Sequence, residues 1–314
     1  MLTYLAQRVG LAILICIVAM TVLFSLVYVI PGDPASIALG PRATPEMRDA
    51  LRERMGLDQP IPIQLLHFFG NALTGDLGLD LFSRRPVTSI VLENLPYSLA
   101  LIAAGLGWAV LIGIPLGCYS ALHRNSLIDK LTGLISVGAI SIPSFVVGIY
   151  SIVLFAVVLN WFPAIGVGEA GDPVDQLWHL VLPAFAVGLG WVGYLARIVR
   201  ASMLEVMSEN HVRTARAFGL RESHIVVHYA LRIAILPTVT LLGLATGYLL
   251  SSAVFAETVF ARPGIGKLVV DMVLTRNYPV VQGAVLVTVT LFVLAQLLAD
   301  LIVAWLDPRV RATL

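Results

Sequence analysis

Ser208–Pro237 reads SENHVRTARAFGLRESHIVVHYALRIAILP and is a long polar segment, set between two apolar ones, with the features of a surface that touches another protein. Its first half crowds the small residues Thr214, Ala215, Ala217 and Gly219 beside Arg213 and Arg216. On a helix, Val212, Ala215 and Gly219 fall on one face at i, i+3, i+7 spacing. Small side chains there are expected to let a partner approach the backbone closely. Gly219 suits the residue just past a helix end, where a positive φ costs glycine almost nothing. Leu220 is then placed to supply the apolar contact that accompanies such an ending. A second turn is expected to start at Arg221-Glu222-Ser223 and to run amphipathically to Arg232, before Pro237 leads into apolar sequence. Taken alone, the same residues also make an ordinary helical hairpin between two membrane spans.

Composition sets the surroundings of that hairpin. The chain has 314 residues, 58% of them hydrophobic and 12% charged, with a mean hydropathy of +0.91. Soluble domains carry about a quarter charged residues, so the chain reads as a polytopic, all-α membrane protein. The net charge of +1 does not suggest a nucleic-acid partner. Cys16 and Cys118, both inside apolar runs, indicate packing rather than a disulfide framework.

Working outward, Val9–Ile30 is an uncharged run behind Arg8, longer than the ~7–15-residue core of a signal peptide and long enough for a span. It leads into Pro31-Gly32-Asp33-Pro34 without a convincing cleavage site, which favours a retained first span. Five further runs have spanning length: Leu95–Leu122, Leu131 to about Leu159, Gln176–Ala196, Ile233–Ala256 and Asn277–Ala299. Prolines at 115, 143 and 183 lie inside them, so freed backbone groups need partners from neighbouring helices, as in a packed bundle. Six spans are expected. The chain divides into residues 1–94, a first span plus an extracytoplasmic helical segment, and residues 95–314, a five-helix core with a cytoplasmic loop at 200–232.

Residues 31–94 carry eight acidic and six basic side chains. Thr44 is placed to cap a helix running from Pro45 to Gly56 and burying Met47, Ala50, Leu51 and Met55. A second amphipathic stretch (Leu65, Leu66, Phe68, Phe69, Leu73) ends at Thr74-Gly75-Asp76-Leu77-Gly78. The simplest reading is a small soluble cap; the functional one is an outer docking surface. A short re-entrant or surface helix is expected within Thr258–Tyr278, between Pro263-Gly264 and Asn277.

Orientation follows from the short flanks. With the N-terminus inside, eleven basic residues fall on the inner side (Arg8, Arg124, Lys130, Arg197, Arg200, Arg213, Arg216, Arg221, Arg232, Arg309, Arg311), against Arg262, Lys267 and Arg276 in the short outer loops. Both termini are then cytoplasmic, and so is the 208–237 hairpin.

No reading points to catalysis. Gly264-Ile265-Gly266-Lys267 imitates part of a phosphate loop, but Ala261 and Leu268 stand where that loop needs Gly and Ser or Thr. The chain is therefore expected not to be an enzyme and to bind no nucleotide or metal. His224 and His228 share i, i+4 spacing without the intervening Glu of a zinc-protease helix. Ionisable residues near the spans are Glu257 at the outer end of span five and Asp300 near the inner end of span six. A charge inside a membrane is a functional candidate, although Asp300 paired with Arg8 or an inner-loop arginine is a structural reading. Glu257 joins Ser141, Ser144, Tyr150, Trp191, Tyr194, Tyr248, Ser251 and Ser252 as candidates for lining or gating a pathway; helix–helix packing explains each of them equally well.

The hairpin resembles the EAA loop of binding-protein-dependent ABC importer permeases, in the T-A-R-A-x-G-L…H-x-L-R-x-A-x-L-P form of the peptide branch. The match falls on Thr214, Ala215, Arg216, Ala217, Gly219, Leu220, Leu231, Arg232, Ala234, Leu236 and Pro237, with His228 one position ahead of the pattern's histidine, Tyr229 and Ile233 as departures and Arg213 where the eponymous glutamate belongs. The likeness extends along the chain through Pro31-Gly32-Asp33-Pro34, Leu57-Asp58-Gln59-Pro60, Gly75-Asp76-Leu77-Gly78 and Arg85-Pro86-Val87. It continues through Ile142-Pro143-Ser144-Phe145, Leu182-Pro183, Glu257-Thr258-Val259-Phe260, Pro263-Gly264-Ile265-Gly266, Tyr278-Pro279 and Asp307-Pro308-Arg309. The long segment after span one resembles the first (B-type) permease of peptide, glutathione and nickel systems.

That resemblance implies a type I importer (MetI-like) permease fold in a bacterial inner (plasma) membrane. It also implies a second homologous permease, two ATPase subunits that carry the ATP and Mg, and an extracytoplasmic substrate-binding protein. Residues 213–220 (Arg213, Thr214, Ala215, Arg216, Ala217, Phe218, Gly219, Leu220) become the ATPase contact, pulled when the ATPases close, in a two-state hinge or shear movement. Gly219→Asp is expected to uncouple the loop by placing a side chain where φ is positive and space is tight. Short peptides are the leading substrate; glutathione, nickel complexes and opines are the alternatives, with Ser83-Arg84-Arg85-Pro86-Val87 leaning toward glutathione. A stand-alone secondary carrier is disfavoured because no charge lies at mid-membrane, and a membrane scaffold because the spans are broken by proline and glycine.

Overall fold

The computed structural model of the chain describes residues 2–29, 34–40, 43–54 and 58–306. The motif residues 31–33, Leu57 and Asp307-Pro308-Arg309, the helix end at Met55-Gly56, and the arginines at 309 and 311 lie outside these residues. In order, the helices are α1 (Leu2–Val29), α2 (Pro34–Leu39), α3 (Pro45–Arg54), α4 (Ile61–Leu73), α5 (Val87–Leu122), α6 (Leu127–Ser141), α7 (Ser144–Ser151), α8 (Pro173–Met207), α9 (Asn210–Ala217), α10 (Glu222–His224), α11 (Leu231–Ala234), α12 (Leu236–Val259), α13 (Ile265–Leu274) and α14 (Tyr278–Leu306). Two π-helical turns, Ile152–Val158 after α7 and Ile225–Ala230 after α10, continue their helices.

Among the described residues four helices are long and apolar enough to cross a membrane: Val87–Leu122, Pro173–Met207, Leu236–Val259 and the Tyr278–Ile302 part of α14. The run expected as the third span is built of two helices, Leu127–Ser141 and Ser144–Val158, bent by 99°. Pro143 explains the break: it has no N–H to donate, and it holds Ile142 at φ −90°, ψ 122°, outside the helical region. Pro115 and Pro183 cause no such break and stay inside α5 and α8. α1 is helical along the expected first span, from Leu2 to Val29.

The chain forms two compact units that interleave along the sequence. One comprises Leu99–Arg262 and the described residues from Leu294 to Leu306. Its centre is α8, which starts from an Asp172 cap accepting bonds from the backbone of Val174 and Asp175 at 2.9 and 3.2 Å. α8 runs close beside the second half of α5. A Cβ added at Gly117 would lie 2.6 Å from the Ala196 carbonyl oxygen, so only glycine allows that approach. Above this seam, the Trp108 indole donates to the Ala184 carbonyl at 2.8 Å. Arg262, counted from sequence as an outer-loop cation, is only 3% exposed, and its guanidinium faces the carbonyls of Gly166 and His179 at 3.4 Å.

The other unit comprises residues 2–98 and Pro263–Val293. Its core joins Val87, Ile90 and Val91 of α5 to Ile265 and Leu268 of α13 and to Val280 and Ala284 of α14. The expected short helix after Pro263-Gly264 is α13. Asp80 anchors the loop before α5, accepting from the backbone of Phe82 and Ser83 and from the Asn277 amide at 2.9 Å. Burial raises its pKa, but these hydrogen bonds outweigh that and hold the carboxyl below its ordinary value. Thr44 caps α3 as expected, its hydroxyl 3.4 Å from the Met47 N–H. Met47 and Ala50, expected to be buried by α3, are exposed.

Candidate functional site: the 208–237 hairpin

α8 leads through Ser208-Glu209 into α9, which ends on a glycine-terminated cap. The Gly219 N–H donates to the Arg216 carbonyl at 2.9 Å and the Leu220 N–H to the Ala215 carbonyl at 3.4 Å, with Gly219 at φ +75°. This is the doubly bonded, left-handed ending that satisfies the last carbonyls of a helix. The expected turn at Gly219 is therefore present, and the second helical stretch begins at Glu222. Nothing lies within 4 Å of a Cβ added at Gly219. The expectation of tight space there is overturned; only the positive φ resists a side chain. Leu220 is 38% exposed, so the apolar contact assigned to it is not a buried one.

The face carrying Val212 and Ala215 points into the chain's own core, contrary to its expected use by a partner. Both are buried among Val199, Met203 and Val206 of α8 and Ile225, Val226, Ala230 and Ala234 of the returning stretch. These small residues dock the hairpin on the end of α8. The opposite face, with Arg213, Thr214, Arg216, Ala217 and Phe218, is exposed, and Phe218 reaches 81%. Arg216 closes the tip by a two-pronged ion pair with Glu222, at 2.7 and 3.2 Å. Hydrogen bonding to Arg216 lowers the Glu222 pKa, and hydrogen bonding to Glu222 raises that of Arg216. The His224 and His228 rings stack 4.2 Å apart, and among the described residues no group of three or more His, Cys, Asp or Glu is gathered as for a metal.

The structure brings three of the pathway candidates together. Trp191 meets Tyr194 at 5.5 Å and Tyr248 at 5.9 Å, edge to face, with the Arg197 guanidinium 5.8 Å from the Tyr194 ring. Ser251, Ser141 and Tyr150 are exposed, Ser144 is half-buried and Ser252 is buried. The Ser141, Ser251 and Ser252 hydroxyls donate to carbonyls of their own helices. Glu257 is buried to 1% in the last turns of α12, where its carbonyl accepts from the Arg262 N–H at 2.8 Å. Asp300 lies on α14; the Arg8 side chain is outside the described residues.

One cluster escaped the sequence reading. Asp129, 6% exposed, accepts from Arg200 of α8 at 2.5 and 2.8 Å, from the Ser120 hydroxyl at 2.5 Å and from the Asn125 N–H at 2.9 Å. It ties the α5–α6 turn to α8, seven residues before α8 ends. Part of the signal was available: Ser126-Leu127-Ile128-Asp129 has capping-box spacing, and the Ser126 hydroxyl does accept from the Asp129 N–H at 3.1 Å. Arg200 had been counted only as one more inner-side cation.

Against known proteins, residues 113–312 match the family described as binding-protein-dependent transport system inner membrane component, and residues 1–102 match its N-terminal companion. The chain belongs to that family. It is 38% identical over 312 residues, 99% of both chains, to the glutathione transport system permease protein GsiC of Shigella flexneri serotype 5b and of Escherichia coli K12. The protein of that name from Pectobacterium atrosepticum is 37% identical over 311 residues. Among solved structures, the inward-facing MetNI methionine ABC transporter superposes with a TM-score of 0.57 at 19% identity, covering 69% of this chain and 96% of that one. The chain is thus an ABC importer permease subunit of the peptide, glutathione and nickel class with a MetI-like helical fold. Family membership brings a substrate-binding protein and ATPase partners, and places this permease among inner-membrane components rather than ATPases.

Proposed function

We propose that this permease forms one half of an ATP-driven import pathway for glutathione or a peptide of similar size. What supports the substrate is the full-length similarity to permeases named for glutathione transport; short peptides in general remain the broader form of the same reading. The other half of the pathway is a second homologous permease. Two ATPase subunits bind the ATP and Mg, and this chain holds neither.

In this reading α1, α5, the bent α6–α7 pair, α8, α12 and α14 are six spans, with both termini and the 208–237 hairpin cytoplasmic. Residues 213–220 meet an ATPase subunit through the exposed face of α9, with Phe218 at its tip. Because Val212 and Ala215 are packed on α8, movement of the hairpin is transmitted to α8 as a lever. Trp191, Tyr194 and Tyr248 line or gate the pathway, together with Ser141, Ser144, Tyr150, Ser251, Ser252 and Glu257.

The test is mild-detergent purification of the tagged chain with its partners, followed by ATP-dependent uptake of labelled glutathione in reconstituted vesicles. Recovery of a second permease and ATPase chains, with uptake competed by glutathione, supports the proposal. Uptake competed by other short peptides and not by glutathione would replace the substrate and leave the machinery intact. Isolation of the chain without any ATPase would overturn the whole reading.

A further inference from the structure

The segment between α1 and α5 has the composition of a soluble cap, yet α4 within it does not behave as a solvated helix. Its sequence, IPIQLLHFFGNAL, contains no Lys, Arg, Asp or Glu, whereas six of the ten residues of α3 are charged. One face of α4 rests on α1: Phe68 packs edge to face on Phe24 at 5.6 Å, and Phe24 is only 5% exposed. The opposite face presents Ile63, Leu66 and Leu73, at i, i+3, i+10 spacing, with exposures of 43%, 72% and 90%. A helix that keeps its two phenylalanines half-buried yet still turns one isoleucine and two leucines outward, in a segment otherwise rich in charge, is covered by something apolar.

The depth of the contact identifies what covers it. α1 continues from Phe24 to Val29 as uncharged helix, and five residues at 1.5 Å each amount to about 7–8 Å. α4 therefore touches α1 well inside the apolar run, at the ~5–10 Å depth where interfacial helices bury their apolar faces. α1 itself carries bare apolar side chains just before this contact, with Val18 53% and Val22 54% exposed. We infer that α4 is an interfacial helix lying in the acyl–headgroup boundary of the bilayer leaflet where α1 ends, with Ile63, Leu66 and Leu73 in contact with lipid. This rests on α1 being a span. It makes the insertion a membrane-seated platform from which the charged α3 projects toward water.

The test uses the assembled transporter in phospholipid nanodiscs, with Cys16 and Cys118 changed to alanine and single spin labels at Leu66→Cys or Leu73→Cys on α4. Labels at Val18→Cys on α1 and Asp49→Cys on α3 serve as lipid and water references. Accessibility to oxygen against a water-soluble nickel chelate reads depth. The expected result is that the Leu66 and Leu73 labels follow Val18, several-fold richer in oxygen collisions than Asp49. If they follow Asp49 while Val18 reads lipid, this proposal is wrong and the span reading stands. Water exposure that turns into immobilisation on adding the extracytoplasmic binding protein would overturn it too, making the face a protein-docking surface. If Val18 itself reads water, the span reading fails and this proposal fails with it.

Discussion

α8 and α14 are both long and apolar, and they end in opposite surroundings. The most apolar window of α14 has a mean hydropathy of 2.3 and is 6% buried within the chain; that of α8 has 1.5 and is 61% buried. In a soluble protein the order would be reversed. In a bilayer the lipid is as apolar as leucine, so hydrophobicity marks what lipid tolerates, while helix packing is driven by close backbone approach and hydrogen bonds. α8 meets these needs with Ala184, Gly188, Gly193 and Ala196 on its packed faces and with Arg200 held by Asp129. α14 presents Leu294, Leu298, Leu301 and Ile302 outward instead, a surface suited to lipid.

The strongest way to break this contrast is at the α5–α8 seam. Gly117→Leu forces a side chain against the Ala196 carbonyl; overpacking of this kind costs about 1–3 kcal/mol and occasionally more, and here the obstacle is backbone. Size-exclusion profiles of the solubilised chain should show loss of the monodisperse peak. If the peak survived with an unchanged thermal midpoint, α8 would not be the packed centre. Next comes Asp129→Asn, which leaves Arg200 of α8 without its carboxylate. The expected outcome is a thermal midpoint lowered by several degrees, with part of the loss recovered when Asp129→Leu and Arg200→Met are combined in one chain.

Phe218→Ala extends the comparison to the hairpin that α8 carries. At 81% exposure, its loss should leave the thermal midpoint unchanged, while ATP-driven uptake falls about tenfold, the size of one interface anchor of about 1.4 kcal/mol. Uptake at the normal rate would remove the exposed face from coupling. Gly219 sharpens the point: with open space around it and φ +75°, Gly219→Asn should transport nearly normally and Gly219→Val poorly.

Two small effects complete the series. The Glu222 pKa is lowered in the folded hairpin, so its pair with Arg216 contributes above the unfolded carboxylate pKa of about 4.3 and is lost as pH falls through the folded value. Hairpin stability, read by hydrogen exchange at 213–222, should therefore be flat in this respect from about pH 6 to 8 and weaken only in acid; the pair is half exposed and worth about 0–1 kcal/mol. Leu298→Ala on α14, 60% exposed, should change the stability of the isolated chain by less than ~0.5 kcal/mol. A large loss there would mean that hydropathy, and not packing, orders the bundle.

The legible features were those with a local cause. Gly219 past the end of α9, the Thr44 cap of α3 and the short helix after Pro263-Gly264 each follow from a few adjacent residues, and each is in place. The direction of the Val212–Ala215 face was misread because spacing shows which residues share a face and not what covers it. The same gap hid Arg262, which counts as a loop cation in sequence and is buried among carbonyls in space. The Asp129–Arg200 pair joins residues 71 positions apart, beyond the reach of any local pattern.

Uncharged runs, their lengths, and the caps and prolines that punctuate them were enough to define an all-helical membrane chain, and the ordered motifs along it were enough to place its family. Local backbone chemistry and the avoidance of charge in lipid act residue by residue, so they are written in one dimension. Tertiary structure decided that Pro143 bends its helix pair by 99° while Pro115 and Pro183 are absorbed, that the less hydrophobic α8 takes the centre, and that the hairpin turns Phe218 outward. These outcomes depend on which helix stands beside which, because backbone approach, ion pairing and burial are properties of neighbours that the chain brings together only when it folds.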